Sequence, residues 1–216
     1  MKKKIKVAYL LDNRNSWIEQ YLKESSLIKE NKNYSFKIFK NFRKIKDYAI
    51  VFIINYTKIL NSNFLKQNRL NLIIHASNLP KGKGFAPLQW QILGKKNKIS
   101  VCLLEAAKKF DCGRIFLKDH VLFKGDELYD EIRYLEAKVI IKMIKFFLKK
   151  YPNVSSKKQI GKSTFYKKRN PNDSELNIDI SIKKQFNKMR IANNEKWPSF
   201  FYYKNKKYII KIFKSK

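Results

Sequence analysis

The sequence predicts an α/β fold: an open, mostly parallel Rossmann-like sheet with helices on both faces, and a small C-terminal α+β appendage with a β-hairpin. Short apolar runs recur that are typical of strands buried on both faces, segments with helical spacing separate them, and the composition changes after Tyr151. A chain of 216 residues suits one ordinary domain and an appendage. We therefore expect a core at residues 1–150 and a small subdomain at 151–216.

The core elements alternate between strand and helix. Helical spacing predicts helices at Trp17–Ile28 and Leu88–Leu93, and Pro87 and Gly94 bound the second one. The longest predicted helix is Asp126–Lys150, with Asp126 as its N-cap, an acidic first turn and a basic last turn. The predicted strands are, in chain order, Val7–Leu11, the alternating segment Tyr34–Ile38, Ala49–Ile54, Leu70–Ile74 and Ile99–Leu104. This βαβ-like series predicts parallel pairing.

The segment after Tyr151-Pro152 has a different character. It begins with a polar, turn-rich stretch, and a helix is predicted at Ile182–Ile191. Two strands, Phe200–Tyr203 and Tyr208–Phe213, are predicted around a turn at Lys204–Lys207. We expect this tail to pack on the core or on another subunit.

The formal net charge is +32, and lysine supplies 42 of the 49 basic residues because only seven are arginine. A basic surface is typical of nucleic-acid binders, but phosphate-reading surfaces often use the bidentate fork of arginine. The lysines are also spread along the whole chain. Compositional bias is therefore the preferred explanation and a nucleic-acid partner is not expected, with polyanion binding left open as the alternative.

The sequence indicates a cytoplasmic protein without a membrane partner. No apolar run approaches the roughly 20 residues of a membrane span. The charged start Met1–Lys4 is followed only by the apolar run Val7–Leu11, which is shorter than the typical signal-peptide core of about 7–15 residues. With two histidines and two cysteines, Cys102 and Cys112, no ligand spacing predicts a metal site.

The candidate catalytic residues lie where two predicted strands end. The run Leu70–Ile74 leads to His75 and the small-residue loop 76–84, and the run Ile99–Leu104 leads through a loop to Asp111. A histidine beside a carboxylate is an acid/base pair, because the carboxylate orients the ring and favours its charged form. The order HAS-x-LP, G-x-G, P-x-x-W and D-x-G makes a structural role for His75 the weaker interpretation.

This arrangement resembles the catalytic core of the folate-dependent formyltransferases. The resemblance implies acyl transfer: an amine attacks the formyl group of 10-formyltetrahydrofolate, His75 stabilises the oxyanion, and Asp111 orients His75 and helps to accept the amine proton. The family pattern is N-x-H, but Ile73 stands at the position of the asparagine. Asn71 and Asn78 are the nearest amides, and neither is a direct substitute. A weak enzyme or a catalytically inactive relative is therefore an open alternative.

Within this family the chain is most similar to sugar-nucleotide N-formyltransferases, particularly the pseudaminic-acid-pathway type, through segments that include 12–18, 75–93 and 159–169. This resemblance implies surface glycan synthesis, a nucleotide-linked 4-amino sugar (UDP preferred) as acceptor, and a folate pocket between the loop with Lys58, Ile59 and Leu60 and the loop with Glu105 and Phe110. The substrate-binding candidates are Gly82, Lys83, Gly84, Arg169, Arg190, Asn193, Asn194 and Trp197. Members of this family often dimerise, so the resemblance also implies a homodimer, with the C-terminal hairpin as a contact. Methionyl-tRNA formylation and non-catalytic polyanion binding are the alternative functions.

Overall fold

Six strands form the central sheet of the computed structural model, which describes residues 4–12, 16–29 and 32–215. The described strands, in chain order, are β1 (Ile5–Leu11), β2 (Tyr34–Phe39), β3 (Ile50–Ile54), β4 (Asn71–His75), β5 (Lys83–Gly84), β6 (Lys98–Glu105), β7 (Ile115–Leu122), β8 (Phe165–Tyr166), β9 (Ser199–Tyr203) and β10 (Lys206–Ile210). The central sheet has the order β2-β1-β3-β4-β6-β7. Strands β5 and β8 form one small sheet, and β9 and β10 form another.

The prediction of a mostly parallel sheet is confirmed, with one correction. Strands β2, β1, β3 and β4 pair in parallel, whereas β6 runs antiparallel to both β4 and β7. The parallel series predicted for the run Ile99–Leu104 is therefore wrong at this strand. A run that is buried on both faces shows that a strand is central, but it carries no information about direction.

Helices cover both faces of the central sheet. The described helices, in chain order, are α1 (Ile18–Glu24), α2 (Ser26–Lys29), α3 (Ser62–Gln67), α4 (Pro87–Leu93), α5 (Tyr129–Lys150) and α6 (Ile182–Arg190). Buried side chains of α1, α2, α4 and α5 share one apolar core with alternate residues of β1, β3, β4 and β6. Phe64 of α3 packs on the opposite face with Phe39 and Ile45.

Three predicted boundaries are corrected. The single helix predicted at Trp17–Ile28 is divided at Ser25, which adopts an extended conformation. Helix α5 begins after Leu128, whose N–H donates to Glu131 Oε2 at 2.8 Å, so Asp126 is not its cap. The hairpin turn is shorter than predicted, because Lys204 and Asn205 both have positive φ and complete a two-residue turn.

Candidate functional site

His75 and Asp111 meet in a largely buried acid/base pair. The Nδ1 atom of His75 lies 3.5 Å from Oδ1 of Asp111, and the two side chains are 8% and 11% exposed. His75 is the last residue of β4, and Asp111 lies in the loop between β6 and β7. The two side chains that the sequence predicts as catalytic candidates are thus in contact.

The loop that carries Asp111 reaches His75 by an unexpected route. Because β6 is antiparallel, its last residue Glu105 pairs with Leu72, whereas His75 pairs with Cys102. The loop between β6 and β7 must therefore return along β4 by about three residues, or roughly 10 Å, to bring Asp111 to His75. The pair does not arise from two carboxyl ends at one sheet edge.

Strand β5 holds both members of the pair through its main chain. Nε2 of His75 donates to the carbonyl oxygen of Gly82 at 2.8 Å, and the N–H of Gly84 donates to Oδ2 of Asp111 at 2.9 Å. The carbonyl accepts only a proton-bearing nitrogen, so Nε2 carries a hydrogen. The ring nitrogen that faces Asp111 and is left for proton exchange is therefore Nδ1.

The tail of the chain supports β5 from its other side. Strand β8 pairs with β5 in parallel, and Thr164 contributes both its carbonyl, which accepts from Lys83 N, and its hydroxyl, which accepts from Gly82 N at 2.8 Å. Tyr166 packs beside Gly82, where an added Cβ would lie 2.8 Å from the Tyr166 ring. Sequence reasoning missed Thr164, and its only local signal is the short β-prone run Thr164–Tyr166.

The position usually held by asparagine carries no amide in this site. Ile73 packs among Leu79, Cys102 and Leu104. The amide of Asn71 donates to Leu65 O at 3.0 Å, and Asn78 Oδ1 accepts from the ammonium of Lys118 at 3.0 Å. The NH₂ group of Asn71 and the amide oxygen of Asn78 are thus engaged by other residues.

Exposed apolar side chains mark the predicted folate pocket. Ile59 is 71% exposed, and Phe110 is 60% exposed. Leu60, in the loop with Lys58 and Ile59, packs on the same apolar cluster as Ala106, which follows Glu105. The two predicted walls thus share one underlying cluster and present apolar side chains outward.

The remaining substrate-binding candidates divide into two groups. Lys83 is buried between Gly82 and Gly84, and its ammonium donates to Cys112 Sγ at 3.0 Å. Trp197 is exposed, Asn193 Oδ1 accepts from the N–H groups of Glu195 and Lys196, and Asn194 bonds to the main chain of Ile212. The hydrogen bonds of Asn193 and Asn194 therefore organise the turn before the hairpin.

Arg190 is a structural residue, and its prediction as a substrate contact is corrected. It is 1% exposed and pairs with Glu127 at 3.3 Å, while its Nε donates to Asn187 Oδ1 at 2.7 Å. The motif Arg190-Ile191-Ala192 did not reveal this, because a basic residue in a polar tail looks the same whether its side chain points inward or outward.

A second arginine that the sequence analysis missed lies near Arg169. Arg133 of α5 stacks on the ring of Trp17 at 4.8 Å and pairs with Glu136 at 2.6 Å. Burial lowers the pKa of the Arg169 guanidinium, Asp173 opposes this effect, and the positive charge of Arg133 lowers the pKa further. Within the described part of the chain, Arg133 Nε, Arg169 Nε, Trp17 Nε1 and Ser16 Oγ are buried without a hydrogen-bond partner.

Two absences apply to the residues that the structure describes. Among them, no group of three or more histidine, cysteine, aspartate or glutamate side chains is placed to hold a metal ion. No described helix combines the length and the apolar character that crossing a bilayer requires. Residues 13–15, part of the segment 12–18 used in the sequence comparison, lie outside the described residues.

Comparison with known proteins assigns the family. A family model described as formyl transferase matches residues 3–144, which is most of the chain. The chain belongs to the formyl transferase family. The matched residues include His75, Asp111 and strand β5, and they end before β8, so the part of the site supplied by the tail lies outside the match.

Two curated relatives match most of this chain but only part of their own length. This formyl transferase is 29% identical over 208 residues to the bifunctional polymyxin resistance protein ArnA of Wigglesworthia glossinidia brevipalpis, covering 89% of this chain and 31% of that protein. It is 28% identical over 158 residues to methionyl-tRNA formyltransferase of Sulfurihydrogenibium sp. strain YO3AOP1, covering 69% and 49%. The chain thus spans half or less of the length of these two relatives.

Solved structures share the fold of this formyl transferase. Methionyl-tRNA formyltransferase from Clostridium thermocellum aligns with a TM-score of 0.84 at 21% identity, covering 98% of this chain and 94% of that one. A 4-N formyltransferase from Francisella tularensis aligns with a TM-score of 0.71 at 14% identity, covering 99% and 100%. HypX from Aquifex aeolicus in complex with tetrahydrofolic acid aligns with a TM-score of 0.73 at 13% identity, covering 97% and 38%. At these identities the likeness concerns the fold alone.

Proposed function

We propose that this chain is an enzyme that transfers a formyl group from 10-formyltetrahydrofolate to the amine of a nucleotide-linked amino-deoxy sugar. The observation that carries the proposal is the buried His75–Asp111 pair, held by Gly82 O and Gly84 N, in a chain of the formyl transferase family. We place the protein in surface glycan synthesis on the basis of this acceptor class.

The pair has the groups that formyl transfer requires. The amine nitrogen forms a bond to the formyl carbon, and the carbonyl oxygen becomes an oxyanion that a proton on His75 Nδ1 stabilises. Because His75 then carries protons on both ring nitrogens, the amine gives its proton to the Asp111 carboxylate. The C–N bond to the folate then breaks, and its nitrogen leaves with a proton. The carbonyl of Gly82 fixes Nε2, so Nδ1 is the ring atom that exchanges protons.

The binding of folate is supported by the apolar walls. Ile59 and Phe110 are exposed side chains on two loops that share a cluster, and a flat pterin ring covers apolar surface of this kind. The alignment with HypX in its tetrahydrofolate complex agrees with a folate donor. Lys58, Leu60 and Glu105 remain proposed members of this pocket.

A nucleotide-linked acceptor is supported by the arginine cluster. Arg133 and Arg169 are close enough for their charges to interact, and each has a buried Nε–H that finds no acceptor among the described residues. Donors of this kind suit the oxygens of a diphosphate. Trp90 stands beside them, with Arg169 6.0 Å from its ring, and its Nε1 donates to Lys167 O. The fold match with a sugar N-formyltransferase from Shewanella sp. favours a sugar amine.

The second candidate acceptor is methionyl-tRNA, which the name of the Sulfurihydrogenibium relative and the net charge of +32 both favour.

Mass spectrometry separates the two acceptors. Purified protein is incubated with 10-formyltetrahydrofolate and either a panel of UDP- and dTDP-linked amino sugars or charged Met-tRNA. A formyl mass gain on a sugar nucleotide supports the proposal. Formylation of Met-tRNA alone replaces it. Salt-dependent tRNA binding with neither product indicates a non-catalytic polyanion binder.

We predict that His75→Ala and Asp111→Asn each reduce turnover by on the order of 1,000-fold while the protein stays folded, because each removes one half of the proton-transfer pair. The matched control is His120→Ala, the other histidine, which is exposed on β7. It is expected to retain turnover within about twofold. Near-normal turnover in either site variant, measured with a circular dichroism check of folding, would remove the pair from the mechanism.

A further inference from the structure

The loop that presents Asp111 is held in a demanding conformation. Asp111 has a φ of +50°, in the left-handed region that few side chains adopt. Two residues later, Gly113 lies so close to β6 that an added Cβ would be 1.8 Å from Glu105 O. A loop with these two features needs external contacts to stay in register with His75.

One such contact comes from the tail. The side-chain amide of Gln159 donates to the carbonyl of Asp111 and to that of Gly113, each at 2.8 Å. The opposite orientation of the amide would place its oxygen against two carbonyl oxygens, so the two acceptors fix its donor half toward the loop. Gln159 thus bridges the two residues that give the loop its shape.

The main chain beside Gln159 is itself anchored to the same loop. Lys157 and Ile115 exchange two backbone hydrogen bonds of 2.8 Å, and Arg114 donates to the carbonyl of Ser156 at 2.7 Å. The segment that carries the amide therefore cannot shift independently of the end of the loop. In contrast, Gln159 Oε1 is buried without a partner among the described residues, so its donor half makes the contacts that hold it in place.

We propose that Gln159 is a positioning residue for Asp111 in formyl transfer, which rests on the role given to Asp111 in the proposed function. The carboxylate of Asp111 must lie between His75 Nδ1 and Gly84 N, at 3.5 and 2.9 Å. A loop that loses its bridge moves the carboxylate away from Nδ1, and misplacement by about 1 Å costs up to about 100-fold in rate. The tail thereby completes the acid/base pair without touching the substrate.

The kinetic test compares two glutamines that make the same kind of contact. Gln159→Met removes both donors at similar size, and Gln185→Met removes an equivalent bridge from Asn177 O and Ile180 O, at 2.9 and 2.8 Å, elsewhere in the tail. We expect kcat to fall about 10- to 100-fold in Gln159→Met with KM for both substrates within about threefold. Gln185→Met should keep kcat within about twofold. Unchanged kcat in folded Gln159→Met overturns the proposal.

A second readout needs no acceptor and is independent of the proposed function. The chain has two histidines, so the imidazole signals in a ¹H–¹⁵N spectrum assign directly through His120→Ala. In Gln159→Met the His75 ring signals should shift and those of His120 should not, and Gln185→Met should move neither. Unmoved His75 signals would overturn the proposal even if the acceptor is still unknown. If Gln159→Met unfolds, Gln159→Asn, whose side chain is one methylene shorter, repeats the test. Unfolding of both variants would make Gln159 a structural residue and overturn the proposal.

Discussion

At the scale of single residues, the site depends on main-chain atoms as much as on side chains. The carbonyl of Gly82 holds His75, and the N–H of Gly84 holds Asp111. The Asp111 loop is held through its main-chain carbonyls, which accept from Gln159. Such close main-chain contacts leave no room for a side chain at some neighbouring positions. Gly113 is the clearest case, because the main chain of Glu105 occupies the space that any Cβ would need.

We predict that Gly113→Ala lowers the melting temperature and reduces turnover at least 10-fold, because the loop must move away from Glu105 and carries Asp111 with it. Gly94→Ala is the control. At Gly94 an added Cβ would have its nearest contacts at 3.4 and 3.5 Å, and the φ of −76° suits alanine. Steady-state kinetics measure the turnover of each variant, and thermal melts measure its melting temperature. Equal turnover in the two variants would show that the loop tolerates the displacement.

The sequence predicted His75 and Asp111 because a motif brings rare residue types to the ends of apolar runs. It did not predict Thr164 or Gln159, which act through main-chain carbonyls and N–H groups 82 and 48 residues away. A hydrogen bond to a carbonyl places no constraint on the residue type that carries the carbonyl, so no paired pattern appears. Arg133 was missed because it lies within α5. The apolar stripe of this helix predicts which neighbouring residues are buried, but it does not predict what the Arg133 side chain contacts.

At the scale of elements, the N-terminus of α5 connects the core to the tail helix. The carboxylate of Glu127 accepts from Lys124 N at 2.6 Å and Gly125 N at 3.0 Å, and it pairs with buried Arg190 of α6. Burial by itself would raise the pKa of Glu127, but these N–H groups and Arg190 outweigh it, so the pKa is lowered from 4.5. The charged form therefore stabilises the fold.

The sign of this shift gives a pH prediction. A lowered pKa in the folded state contributes stability that is present above the unfolded value of 4.5 and is lost as the pH falls through the folded value. Glu127→Gln should be less stable than the wild type by about 1–3 kcal/mol at pH 7, and the two should converge below pH 4.5. Urea unfolding across this range measures the difference. The control is Glu195→Gln, whose carboxylate is exposed, and a constant gap for Glu127→Gln would contradict the assignment.

Among the elements, sequence patterns predicted the strands better than their directions. Apolar runs located five strands of the central sheet, and proline and glycine bounded α4 correctly. The direction of β6 and the short strands β5 and β8 depend on how distant loops meet, which local periodicity does not encode. The tail helix α6 was predicted, but its buried Arg190 was not, because the partner Glu127 lies 63 residues earlier.

At the scale of the whole molecule, the tail contacts the loops next to His75 and Asp111. Leu176, Met189 and Phe200 are buried, and β8 and Gln159 contact the active-site loops. The division at residue 150 remains a proposal about the chain, and truncation tests it. A core that ends there would lack the strand that supports β5 and the amide that bridges the Asp111 loop.

We predict that a chain truncated after Lys150 loses formyl transfer and unfolds at a lower temperature, because it exposes apolar surface and frees both loops. A chain that ends at Phe213 is the control. It lacks only Lys214 and the residues after it, and the exposed ion pairs of Lys214 with Asp126 and Glu131 contribute little to stability. Thermal melts and turnover are compared with those of the full chain. Turnover of residues 1–150 within about 10-fold of the full chain would show that the core is catalytically independent.

The pairing of β5 with β8 also has a consequence for the newly made chain. Gly82 and Thr164 are 82 residues apart, and ribosomes add about 5–20 residues each second. The catalytic loop is therefore synthesised roughly 4–16 s before the segment that supports it. While the last 53 residues of this segment are added, from Asp111 to Thr164, a nascent chain has His75 and Asp111 but no strand beside β5. The supported arrangement of His75 and Asp111 thus depends on the synthesis of β8 and not only on the folding of the central sheet.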